Sequence, residues 1–288
     1  YQRVTISWCE FLPGSKDNTF FNEQMTWLEE HKDETTYYKQ LRDTEKMSAE
    51  DVWWYAYGQK KTHLFGSADS DTQDKAIRTT LANNYYKNSM SRLPRLRFGK
   101  AHEYNCVLDS YELNEQYRIG NKHITGNGAI STCNGEMLLE NCYIRGVRTP
   151  LRSGYGGVTG AINAVDSIYY MNGQRENLEI KTEGTGGLKV TDEVKFREKL
   201  PYKDYIKYDA SKLYTIVVPY AGAGKLNMST VQWEKTNYGD RTGSEGGTTT
   251  YPDDPTEPEI PDNPNNPDNP DNPDNPDNPD NPDNPDNP

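Results

Sequence analysis

Residues 91–100 read SRLPRLRFGK and hold four cations, Arg92, Arg95, Arg97 and Lys100. Leu93, Leu96 and Phe98 interleave with them, and Pro94 interrupts the run. Cations alternating with apolar residues form a strand pattern, with charge on one face and hydrocarbon on the other. Such a face binds an anion. Thirty residues upstream, KTHLFGSADSD (61–71) adds Lys61 and His63 on one alternation, then Asp69 and Asp71 in a loop. Arg92 and Arg97 would point to opposite faces of a straight strand, so Pro94 must turn the chain if both are to meet one ligand. Arg95 and Lys100 read as solvated rim charges rather than catalysts. His102 reads as a packed structural histidine, His63 as a minor candidate for the anion face, and Asp69 and Asp71 as loop residues.

Other chemistry fails on spacing. AGAGKLN (221–227) lacks both the earlier glycine and the Ser or Thr of a phosphate loop. GYGGVTG (154–160) lacks the spacing of a dinucleotide fingerprint. Cys9, Cys106, Cys133 and Cys142 contain no CxxC pair, which argues against zinc. Paired catalytic acids are also missing, since the one adjacent Asp pair is Asp253–Asp254 in the tail.

The elements that position the cations come from internal similarity. VTISWCEF (4–11), TTLANNYY (79–86), AHEYNCVL (101–108), MLLENCYI (137–144) and AINAVDSI (161–168) share one shape. Their sixth positions are Cys9, Asn84, Cys106, Cys142 and Asp166. Short strands recurring with little helical pattern between them predict a right-handed parallel β-helix, an all-β solenoid whose coils stack about 4.8 Å apart. Like residues then form ladders along the axis. Cys106 and Cys142 fall in neighbouring coils with side chains parallel, which suits thiols better than a disulfide.

A partly helical insertion, about 13–58, breaks the repeat, and Ser48 with Asp51 reads as a capping box. Its Trp53, Trp54, Tyr55 and Tyr57 could stack on sugar rings, but anchor an insertion more readily. The β-helix is expected over 1–240, with a disordered Pro/Asp/Asn-rich stalk at 241–288. The net charge of −12 belongs to the tail: Tyr251–Pro288 carries 12 acidic residues and no Lys or Arg, leaving the first 250 residues formally neutral. Nucleic acid is therefore a poor partner for the domain. No apolar run approaches a membrane span.

KTHLFGSADSD and IRTTLANNYYKNSMSRLPRLRFGKAHEYN (77–105) together resemble the core of polysaccharide lyase family 1, the pectate lyases. YDASKLYTIVVPYAGAGKL (208–226) resembles the segment that closes that domain. The resemblance implies cleavage of polygalacturonate by calcium-assisted β-elimination. It implies Arg92 as the proton-abstracting base, with Arg97 and Lys61 binding the substrate carboxylate. It further implies calcium as cofactor, its primary ligands lying upstream of Tyr1 in an N-terminally truncated chain, and a secreted or cell-surface bacterial monomer acting on homogalacturonan. A calcium-independent pectin lyase and a non-catalytic polysaccharide-binding β-helix or adhesin are the alternatives.

Overall fold

In the computed structural model the described residues are 3–13, 17–113, 126–188, 200, 202 and 205–226. The expected tail lies outside them, as does its boundary at 240. The chain winds through three sheets in turn, once per coil. Sheet 1 holds Val4–Ser7, Arg78–Ala82, Lys100–Tyr104, Glu136–Glu140 and Ala161–Val165, all parallel. Sheet 2 holds Glu10–Phe11, Tyr85–Lys87, Val107–Asp109, Tyr143–Arg145 and Ile168–Met171, with Gln174–Glu176 antiparallel at its edge. Sheet 3 holds Leu64–Phe65, Arg95–Arg97, Asn127–Thr132, Thr149–Val158 and Ile180–Thr185. This is the parallel β-helix that the repeats predict.

Alternation along each strand builds the core. Leu81, Ala101, Met137, Leu139 and Ile162 point inward from sheet 1, Leu108 and Ile144 from sheet 2, and Leu96, Ala129 and Leu151 from sheet 3. All are essentially inaccessible. Each full burial of a large aliphatic contributes roughly 1.5–3 kcal/mol.

The corner between sheets 1 and 2 turns on one left-handed residue per coil: Trp8, Asn83, Asn105, Asn141 and Asp166, with φ between 50° and 56°. Asn and Asp tolerate that conformation better than other residues with a Cβ. Met137 pairs with Ile162, not Ala161. The fifth repeat is therefore shifted by one from the sequence alignment: Asp166 is the corner residue, and Ser167 takes the sixth position. Asn84 bonds back to the first coil, accepting from Cys9 N at 2.9 Å and donating to Ile6 O at 3.0 Å. Ser167 Oγ accepts from Cys142 N at 3.0 Å. All four cysteines are free thiols.

The insertion is helical at Thr19–Glu30, Thr36–Lys39 and Ala49–Gly58. Ser48 and Asp51 form the reciprocal capping box, at 3.0 and 2.8 Å. Trp54 and Tyr57 are buried with Met25, Tyr38, Leu41, Met47, Val52 and Leu113 in a satellite core. Trp53 Nε1 donates to Asn22. The aromatics thus anchor the insertion.

The closing segment folds as Ala210–Lys212 and Leu213–Ile216. It lays Leu213, Ile216 and Val217 on Tyr85 and Val107 of sheet 2. No described helix is long and apolar enough to cross a membrane.

Candidate functional site: an arginine face on sheet 3

Lys61 opens the site with an isolated parallel bridge to Ser91. The two segments stay in register: His63 N donates to Arg92 O at 3.0 Å, and Arg95 N to His63 O at 3.0 Å. Lys61 is exposed and Arg92 half-buried on adjoining rungs.

Arg92 has φ +65°. For a residue with a Cβ that conformation costs on the order of 1–2 kcal/mol, and such outliers gather at functional sites. The turn at Leu93–Pro94 then feeds the strand Arg95–Arg97, whose Leu96 points into the core. Arg95 and Arg97 consequently share the outer face, while Arg92 reaches it from the turn. Pro94 does occupy the turn that the sequence required.

The rim reading of Arg95 is overturned. Arg95 is only 4 % exposed and its Nε has no hydrogen-bond partner. It lies 5.3 Å from the Tyr155 ring. Burial, with Arg97 and Arg92 nearby, lowers its pKa. Lys100 is also no free rim charge, being half-buried and ion-paired with Glu136.

Arg97 is 2 % exposed. Its Nε donates to Asp69 at 2.6 Å, and the Asp69 carboxylate is 54 % exposed. Burial pushes Asp69 up, but the hydrogen bond from Arg97 and the neighbouring cations leave its pKa lowered. Asp69 is therefore a counter-ion to Arg97, where the sequence favoured loop chemistry over cation binding. Asp71 is a loop residue, capping Gln73 N at 3.2 Å. Gly66 permits this closure: a Cβ there would sit 2.7 Å from the Cβ of Arg97.

His63 belongs to the core side. It stacks with Phe65, meets Phe11 edge-on and bonds to Tyr86 Oη at 3.2 Å. Burial pushes its pKa down to about 4. His102 is packed, as expected.

Arg152 and Tyr155 were missed. Arg152 pairs across Ile130 with Arg95 on the same face and lies 4.7 Å from the Tyr155 ring. A register shift between Ser153 and Gly157 carries Tyr155 on a bulge. The glycine-flanked GYGG run signals such a bulge. Among the described residues no three His, Cys, Asp or Glu side chains stand together to hold a metal ion.

A pectate lyase family model matches residues 19–141. Pectate lyase B of Paenibacillus amylolyticus is 33% identical over 165 residues, 51% of this chain and 41% of that protein. A pectate trisaccharide-lyase of Bacillus licheniformis is 27% identical over 194 residues, 66% of this chain and 48% of that one. The solved structure of a pectate lyase from Paenibacillus sp. 0602 superposes with a TM-score of 0.67 at 31% identity, covering 81% of this chain and 58% of the other. The chain spans about half the length of the curated relatives it matches. Over the stretch they share, this β-helix with its arginine face is similar in sequence and fold to pectate lyases.

Proposed function

We propose that the chain is the working part of a pectate lyase that cleaves de-esterified polygalacturonate by β-elimination. The observation that carries the reading is the arginine face: Arg92, Arg95 and Arg97 lie close together, and among the described residues Asp69 is their one paired carboxylate. Cations held out of water are strong electrostatic partners for an anion. A uronate carboxylate placed there has its charge offset, which acidifies the adjacent C5–H.

Arg97 and Lys61 bind the carboxylate, and Arg92 takes the C5 proton. The C5–H electron pair forms the C4=C5 double bond, the C4–O bond breaks, and the leaving oxygen gains a proton from solvent. Neighbouring cations favour neutral arginine, which is what a base at position 92 requires. Calcium is part of the reading through the resemblance alone. Among the described residues no cluster of three acidic, His or Cys side chains stands ready to hold it.

The test is ultraviolet absorbance of the conjugated unsaturated product, on polygalacturonate and on methylated pectin, each with calcium or chelator. Product from polygalacturonate that chelator suppresses supports the reading. Product from methylated pectin alone makes the chain a pectin lyase, and no product under any condition leaves a non-catalytic binding domain.

A further inference from the structure

A cavity of about 350 Å³ opens on the outer face of sheet 1, away from the arginine face. Arg3, Arg78 and Lys100 line it. Arg78 pairs with Lys100, and Arg3 precedes Val4, whose partner is Thr79. The three cations therefore occupy one position on three successive coils. Neighbouring rungs about 4.8 Å apart set these charges against one another. The next rung is Glu136, which pairs with Lys100. Arg78 Nη1 donates only to the carbonyls of Lys75 and Ile77, at 2.7 and 2.6 Å. Among the described residues no carboxylate stands in ion-pair range of Arg3 or Arg78.

The floor is the same position two residues on: Thr5, Thr80 and His102 in register. Tyr202 forms the wall, fixed by Thr80 Oγ1 at 2.8 Å and His102 Nδ1 at 2.7 Å. Cations at one end, threonine hydroxyls beneath and an aromatic wall suit a small ligand that is both carboxylated and polyhydroxylated. We propose that this cavity is a second, non-catalytic binding site for an acidic sugar of the uronate class. The carboxylate meets the Arg3–Arg78–Lys100 row, sugar hydroxyls meet Thr5 and Thr80, and the ring lies against Tyr202.

Calorimetric titration of the intact protein with galacturonate tests the site, in wild type and in Arg97→Gln to silence the arginine face. Only the choice of galacturonate rests on the function proposed above; the site rests on the cavity. Binding that persists in Arg97→Gln and weakens at least about tenfold when Arg78→Gln is added supports it. Arg3→Gln gives the same reading should Arg78→Gln fail to fold, and Tyr202→Phe, which keeps the ring, should bind more tightly than Tyr202→Ala. Binding of glucuronate but not galacturonate also supports a uronate site, while setting it apart from the lyase substrate. Binding unchanged by Arg78→Gln, equal binding of neutral glucose, or displacement by equimolar phosphate would each overturn the proposal.

Discussion

The arginine face of sheet 3 and the His102 network of sheet 1 are both buried polar clusters on outer faces of one solenoid. They differ in how their groups are satisfied. Thr80, Tyr202, His102 and Glu140 run in one hydrogen-bonded chain, with His102 Nε2 donating to Glu140 at 2.9 Å and Tyr205 also donating to Glu140. Arg95 has no such chain, and its strongest electrostatic neighbours are two more arginines. A buried network whose members pair with each other holds a fold together. A buried cation left beside other cations weakens the fold and favours an anion from outside. By this contrast the arginine face is the better candidate for binding an outside anion.

The largest effect should come from Arg97→Gln, which leaves Asp69 without its cation and removes the clamp proposed for the substrate carboxylate. It should lower kcat/KM on polygalacturonate by about 10²–10³-fold; a loss under tenfold would place the carboxylate elsewhere. His102→Ala attacks the other cluster. It should cost about 1–3 kcal/mol in urea unfolding, because buried Glu140 loses the hydrogen bond from His102 and Tyr202 loses its acceptor. Near-neutral unfolding would mean that the network is ornamental to stability.

Glu103 sharpens the comparison from inside the core. It is 0 % exposed, neither carboxyl oxygen has a hydrogen-bond partner, and burial pushes its pKa up to about 8. The folded chain therefore holds a proton that the unfolded chain releases near 4.5. Its contribution is full below about pH 4.5 and declines as pH rises through 8. Glu103→Gln should flatten that decline, with a gain on the order of 2 kcal/mol near neutral pH, measured by unfolding at several pH values. An unchanged slope would mean that Glu103 finds a partner in solution.

Asp69→Asn should have the smallest effect on stability, about 1 kcal/mol, since the Asn oxygen still accepts from Arg97 Nε and only the counter-charge of that buried guanidinium is lost. A thermal melt that falls further would move Asp69 from the functional to the structural class.

Much of this architecture is legible in the sequence because a solenoid is local. Each strand has its mate one coil away, so similar stretches announce the coils, and the alternation in SRLPRLRFGK places Leu96 inward with Arg95 and Arg97 outward. The shift at Asp166 arose because AINAVDSI has apolar residues in either register, and only strand pairing decides between them. Arg95 was read as solvated because its burial depends on Tyr155, carried by a bulge two strands away. The Asp69–Arg97 pair spans 28 residues and requires the loop at Gly66 to close. His102 was legible as structural, but not its partners Tyr202 and Glu140, which lie 100 and 38 residues away.

The left-handed corner repeated in every coil gives the molecule a unit of length. Because Asn83, Asn105, Asn141 and Asp166 bend the chain by the same means, a coil can be longer or shorter elsewhere and still return to the same cross-section. Added or removed coils would lengthen or shorten the arginine face in steps of about 4.8 Å without altering its profile. A face built this way grows by whole coils, so its length is set by counting corners.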